Sequence, residues 1–435
     1  MVRPPAAASA PTADDPAAPP NTRVWHTTPE DHLHQILSFL LLDDLFSCAA
    51  ACRAWAGPCR RSPHVDTGPR SLSNADVRKL LRLCGAHVAT LRLQRAAKLD
   101  MDTLRLPFSG ACPNLRELVV HKLHVISDAA ALALEAVARH ARHGSASGSA
   151  ARASAESPAA KLSTAGCLTL ESLDLGGTLF IDAETSRALA AAPNLKDLWL
   201  EGCRHLSDAD AAHITGALDG LRRLRLCDCT ALRDPHLASK RLELLHVSGC
   251  ANLNTVTFAT DALAELEANF CTQLTDTAVE DILEACPRLR VLRARGCAQL
   301  QRPNLRSESL VELDLQLCSQ LSEPVVTCAA LQVLELGMCR HLAAATLRLA
   351  SIETVDLSML PLKSLNLSGC RQLRSLNLSG CSSLLSYHLK MADCALLKVL
   401  DVCGSSVDLD GLDGAAGIEE TRAGGQPLGW PDRMV

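Results

Sequence analysis

The sequence predicts an α/β solenoid: short parallel strands stacked coil upon coil into a curved sheet, with a small helical module ahead of them. Three observations predict it. One phrase of regularly spaced leucines recurs through most of the chain. The 435 residues are too many for one compact core of ordinary size. Apolar residues make up 48% of them, enough to bury a long core.

The phrase is L-x-x-L-x-L-x-x-C-x-x-L. It reads LKDLWLEGCRHL from Leu195, LRRLRLCDCTAL from Leu221, LELLHVSGCANL from Leu242 and LAELEANFCTQL from Leu263. It continues as LRVLRARGCAQL from Leu289, LVELDLQLCSQL from Leu310 and LQVLELGMCRHL from Leu331. The equivalent cysteines are 203, 229, 250, 271, 297, 318 and 339, at spacings of 26, 21, 21, 26, 21 and 21. L-x-L alternation marks a short strand with one buried face. One such unit cannot bury its leucines alone, so neighbours must stack, and this period identifies a leucine-rich-repeat horseshoe with a parallel concave sheet. The cysteine fills an inward position, where its S–H can point at a neighbouring carbonyl.

The two 26-residue units have room for a helix, capped at Ser207–Asp208 and Thr275–Asp276. The 21-residue units are expected to cross the convex side as a turn or a short 3₁₀ piece. Weaker rungs start at Leu91, Leu115 and Glu171, and later ones at Ile352 and Leu397. Residues 362–384 carry two phrases only 11 residues apart, too close for two coils. Either one copy lies off the concave face or the solenoid is irregular there.

The repeats span 85–405. Residues 1–25 are Ala/Pro-rich, 142–165 are a Gly/Ser/Ala insertion, and 411–435 are Gly/Pro-rich without the phrase. Low order is expected in all three.

Composition excludes several functions. Aromatics are 3% of the chain and Tyr387 is the sole tyrosine, which argues against base stacking and aromatic-lined sugar sites. With 43 basic and 48 acidic side chains, no electrostatic footprint for nucleic acid is visible. The first twenty residues lack the apolar core of a secretory signal, and the apolar stretch at 36–42 is too short to span a bilayer. The twenty cysteines therefore read as reduced thiols of an intracellular protein, cytoplasmic or nuclear.

Residues 27–65 differ from the repeats. Leu33, Ile36, Leu37 and Leu40 fall at helical spacing, and Asp43 or Asp44 can cap a second helix bearing Leu45, Cys48, Ala49 and Cys52. Two helices of this size have too little core to stand alone. Pro29, Glu30 or Asp31, Leu33, Ile36, Ser38, Phe39, Leu40, Asp44, Leu45, Cys52, Arg53 and Trp55 match the pattern of an F-box, which the segment resembles. It departs at Thr28, where the family has Leu, at Leu37 for Phe and at Ala51 for Val.

An F-box followed by cysteine-type repeats is similar to the F-box/leucine-rich-repeat family, the substrate receptors of SCF-type (Skp–cullin–F-box) ubiquitin ligases. The resemblance implies a non-catalytic receptor that binds a Skp-type adaptor through the F-box and a protein target through the arc. It implies adaptor-facing roles for Pro29, Leu33, Ile36, Leu37, Leu40 and Leu45. Some of these could instead pack on Trp55 and the first rung. The rival reading is a repeat scaffold without a ligase role, for which Thr28 is the best argument.

On the concave face, the residue between the second and third leucines of each rung forms one row: Asp174, Trp199, Arg225, His246, Glu267, Arg293, Asp314, Glu335 and Asp356. Signs alternate in blocks. Glu267, Arg293 and Asp314 could form a self-neutralising cross-strand ladder, or the groove could select a target by charge. Target contacts are expected at Trp199, Arg225, His246, Glu267, Arg293 and Asp314. Trp199 beside Arg225 suits an interface anchor with cation–π support.

No phosphate-binding, dinucleotide, zincin or nucleophile-elbow motif occurs in a suitable setting. Cys227-x-Cys229 and Cys48-x-x-x-Cys52 are explained by the repeat and the F-box pattern rather than by zinc. A small-ligand or inositol-phosphate site needs a basic cluster, which an alternating face does not supply. No catalytic residues, metal or cofactor are expected.

Overall fold

The computed structural model describes residues 64–66, 73–93, 112–120, 170–177, 194–391, 393–408 and 418–422. Among them a single 15-stranded sheet runs from end to end in chain order, every neighbouring pair parallel. Each leucine phrase contributes one three-residue strand: Asp197–Trp199, Arg223–Arg225, Leu244–His246, Glu265–Glu267, Val291–Arg293, Glu312–Asp314 and Val333–Glu335. The register keeps Leu198, Leu224, Leu245, Leu266, Leu292, Leu313 and Leu334 in one file. All seven are buried. Each contributes roughly 1.5–3 kcal/mol on burial, so the stack, not the single coil, is the unit of stability.

The seven phrase cysteines are fully buried behind the strands. Their thiols donate along the stack to the preceding coil: Cys229 to Leu200 O (3.2 Å), Cys250 to Leu226 O (3.0 Å), Cys271 to Val247 O (3.1 Å), Cys297 to Ala268 O (3.2 Å), Cys318 to Ala294 O (3.3 Å) and Cys339 to Leu315 O (3.2 Å). Burial pushes the Cys271, Cys318 and Cys339 thiols up to about 12. They stay protonated, able to donate and chemically quiet.

The back of the solenoid comes in two forms. Both long units carry a helix: α1 (Asp208–Ala217), capped by Ser207 in a capping box with Asp210, and α2 (Asp276–Ala285), capped by Thr275. The aspartate after each cap does something the sequence reading did not foresee. Asp208 accepts the N–H groups of Arg233 and Asp234, and Asp276 those of Gln301 and Arg302, tying each helix start to the next coil.

Short units cross mainly as paired strands rather than turns: His236–Leu237 with Thr257–Phe258, and Asn304–Ser307 with Val325–Cys328. An extended crossing covers about 3.3 Å per residue against 1.5 Å in a helix. A shorter loop must therefore be extended, and it pairs with its neighbour to satisfy its backbone.

The 11-residue double phrase resolves in the same way. Ser375–Asn377 is a rung of the main sheet, whereas Ser364–Asn366 lies in a separate back sheet between Ala344–Thr346 and Leu389–Lys390. The two copies face the same core from opposite sides, and both cysteines are buried. Cys381 donates to Leu357 O (3.1 Å) and Cys370 to Leu347 O (3.4 Å).

Two strands of the main sheet lie outside the recognisable phrase, His64–Asp66 at one edge and Glu420–Arg422 at the other. A further helix, Asn74–Cys84, capped by Ser73 with Asp76, precedes the second strand.

Candidate functional site

The solvent face of the main sheet is the candidate site. Its register places Asp174, Trp199, Arg225, His246, Glu267, Arg293, Asp314, Glu335, Asp356, Asn377 and Asp401 in one row across consecutive strands. Six of them are the positions expected to touch a target, and the structure brings all six onto one face.

The first half of this face is charge-paired. Arg223 makes a bidentate bridge to Asp197 (2.6 and 2.8 Å), and that bond holds its guanidinium pKa up. Trp199 is half-buried, with the Arg225 guanidinium 5.2 Å from its ring centroid. Arg225 also reaches Glu201 at 3.6 Å.

Arg293 is clasped by three carboxylates, Glu265 (2.9 Å), Glu267 (2.6 Å) and Glu312 (2.8 Å). Burial opposes its charge, but Glu312 and Glu267 outweigh that and raise its pKa. The expected ladder is thereby corrected. Arg293 pairs with Glu312 rather than Asp314, because the residue after Leu313 turns back on its own chain.

His246 lies 3.5 Å from Glu267, and burial lowers its pKa although the glutamate opposes this. Its Nε2 is buried without a hydrogen-bond partner. His246, Glu265 and Glu267 could together offer ligand atoms within 4.8 Å of one another. Arg293 Nη1 already bonds both carboxylates, so a guanidinium holds the place a metal ion would need.

The second half is different. Asp314 is 7% exposed, and its Oδ1 accepts the Gln316 N–H at 2.8 Å. Asp356, Asn377 and Asp401 repeat the same turn with Ser358, Ser379 and Cys403. The carboxylates of this row thus shape strand ends. Asp314 is set deeper than the side chains that meet solvent.

Glu335 accepts from Gln316 Nε2 at 3.0 Å. Burial, reinforced by Asp314, Asp356 and Glu312, pushes its carboxyl up to about 7. Burial likewise raises Asp314 and Asp356.

Sequence reasoning missed the rim beside this face. The residue before each phrase cysteine has a positive φ. It is glycine at 202, 249, 296 and 380, but Phe270 (59°), Leu317 (60°) and Met338 (65°) are not, nor is Met359 (58°), which precedes Leu360 at the cysteine's place. A Cβ at Gly296 would stand 2.6 Å from Phe270 Cδ1, and one at Gly380 would collide with Met359 Sδ. Phe270 and Met359 therefore lie along the rim, over the glycine of the next coil. Phe270, Met338 and Met359 are 52%, 44% and 52% exposed. The signal was in the sequence: the residue before the cysteine reads Gly, Asp, Gly, Phe, Gly, Leu, Met through the seven phrases.

The adaptor-facing candidates Pro29, Leu33, Ile36, Leu37, Leu40 and Leu45 lie outside the described residues. Among the described residues no helix is long and apolar enough to cross a membrane.

A family model described as F-box-like matches residues 25–64. Comparison with curated proteins returns no match. Among solved structures, the chain is similar to the TLR13–ssRNA13 complex (15% identity, TM-score 0.45), covering 80% of this chain and 55% of that one. It is similar to the Rad7 and Elc1 complex in yeast (14%, TM-score 0.34) and to the internalin inlF of Listeria monocytogenes (12%, TM-score 0.36), each covering 92% of this chain and 94% of the other. The chain thus spans about half the length of the first of these. None of the three likenesses bears on what it binds. The chain thus carries an F-box-like segment at residues 25–64 together with a parallel solenoid of leucine strands and buried cysteines.

Proposed function

We propose that the chain is the substrate-recognition subunit of an SCF-type cullin–RING ubiquitin ligase, acting in the cytoplasm or nucleus. The observation that carries this reading is the union of an F-box-like match at 25–64 with a 15-stranded repeat sheet whose first strand begins at His64. The F-box segment takes a Skp-type adaptor through Pro29, Leu33, Ile36, Leu37, Leu40 and Leu45. The sheet face takes a protein target, with contacts at Trp199, Arg225, His246, Glu267 and Arg293 and with Asp314 setting the field behind them. The receptor does no chemistry. It raises the concentration of the target beside the ubiquitin-loaded enzyme, and orientation alone can supply much of the rate. The half-buried Trp199, braced by Arg225, favours an anchor role in a chain nearly without aromatics.

The test is co-purification of the full chain with a Skp-type adaptor. Wild type is expected to form a one-to-one complex. Ile36→Asp is expected to abolish it with an unchanged circular-dichroism spectrum. A wild type that binds no such adaptor would return the chain to the scaffold reading. Trp199→Ala is expected to weaken target binding at least tenfold without changing the melting temperature.

A further inference from the structure

We infer that the second half of the sheet face, from Asp314 to Asp401, together with the rim of Leu317, Met338 and Met359, docks an extended segment of the target that carries lysine or arginine beside an apolar residue. This rests on the receptor reading and specifies the chemistry of what is received.

Charge comes first. Asp314, Glu335, Asp356 and Asp401 follow one another along a single row, interrupted only by Asn377. Among the described residues none of the four makes an ion pair, whereas Glu265, Glu267 and Glu312 all share Arg293. The field of Arg295 reaches Asp314, Glu335 and Asp356, and that of Arg293 reaches Asp314 as well, two guanidinium groups against four carboxyls. The row therefore holds more negative charge than it neutralises, in partial burial where a counter-charge counts most.

Asp401 supplies an independent sign. It is 2% exposed, its Oδ1 accepts the Cys403 N–H at 3.0 Å, and its Oδ2 is buried with no partner. Its charge is felt at Asp356, two rungs away along the row. The orphaned carboxylate oxygen adds negative charge beneath the row, which lysine and arginine, donors without acceptors, would offset.

The rim says that the donor is carried by a protein. Met338 and Met359 are exposed on consecutive rungs and held at positive φ. Glycine would serve the backbone better there. Rungs lie about 4.8 Å apart, and the rim is three residues beyond the acidic row, at most roughly 10 Å away by the reach of the chain. A chain crossing the rungs can place a cation over Glu335 and an apolar side chain on the methionines. A nucleic acid or an acidic peptide would be repelled by the row. A second copy docking through the same face would oppose carboxylate to carboxylate.

An array of random synthetic peptides probed with the full chain tests this. Bound peptides are expected to be enriched in Lys or Arg within two positions of Leu, Met, Phe or Ile, and depleted in Asp and Glu. The best binder is expected to lose at least tenfold in affinity for M338G/M359G and for Glu335→Lys. In M338G/M359G glycine occupies a position it holds in other rungs, so melting should stay at or above wild type. Absence of binding, binders without excess cation, or undiminished affinity of both variants overturns the inference. So does concentration-dependent dimerisation of wild type that M338G/M359G abolishes. All variants are expected to keep the adaptor. Loss of adaptor by wild type would strike the receptor reading and leave the peptide result standing.

Discussion

The two halves of the sheet face are built from the same strands and differ in how their charges are settled. From Asp197 to Glu312 nearly every charged side chain has an opposite partner on the next rung, and Arg293 alone serves three glutamates. From Asp314 to Asp401 carboxylates succeed one another with their bonds directed to backbone N–H groups and to Gln316. Closely similar apolar files lie beneath both halves, leucine throughout except for Val355, so packing does not require the difference. One half neutralises most of its own charge, and in the other the carboxylates have no ion-pair partner among the described residues.

The largest expected effect breaks the paired half. Arg293→Ala leaves Glu265, Glu267 and Glu312 facing one another, and should cost about 2 kcal/mol of stability, read as a lower urea midpoint. Next comes Glu335→Gln. The folded carboxyl titrates near 7 against an ordinary 4.5, so the folded state holds its proton more tightly than the unfolded one. Wild-type stability from this group therefore falls as pH rises from 4.5 to 7, and the cost is complete above 7. Glu335→Gln should be stabilising by about 1 kcal/mol at pH 8, discounted for solvent contact, and neutral below pH 4.5. Glu267→Gln, which loses a guanidinium partner, should be destabilising instead. Equal signs for the two would erase the contrast between the halves.

Smaller still is the rim. A left-handed conformation costs an ordinary residue about 1–2 kcal/mol, part of which glycine returns in the unfolded chain. Met338→Gly should therefore gain about 0.5 kcal/mol. Least of all, Arg222→Ala removes a bridge to Glu243 in which both side chains are about half exposed, and should change the melting curve by about 0.3 kcal/mol or less.

The fold was legible because its cause is periodic. Leucine files, cysteine positions and the Ser207 and Thr275 caps each follow from a local pattern that the stack repeats. The row of solvent-facing residues followed from strand alternation. Pairing along it did not, since sequence fixes which residues share a row but not how far a side chain reaches. Arg293 is long enough to reach Glu312 diagonally, while Asp314, one methylene shorter than glutamate, finds a backbone N–H within its own turn. The back-sheet copy at Ser364–Asn366 was equally opaque, because an identical phrase packs the same core from either side. The rim was readable and went unread, since the phrase treats the residue before cysteine as free when the backbone there is left-handed.

One measurement joins both ends of the account: ubiquitin transfer to an array-selected basic–apolar peptide by a ligase reconstituted from the full chain, a Skp-type adaptor, a cullin–RING core and a conjugating enzyme. The account predicts transfer with wild type and its loss with either Ile36→Asp at the front or Glu335→Lys on the sheet. Transfer at the wild-type rate in both variants, or none with wild type while the adaptor and peptide are both bound, would contradict it.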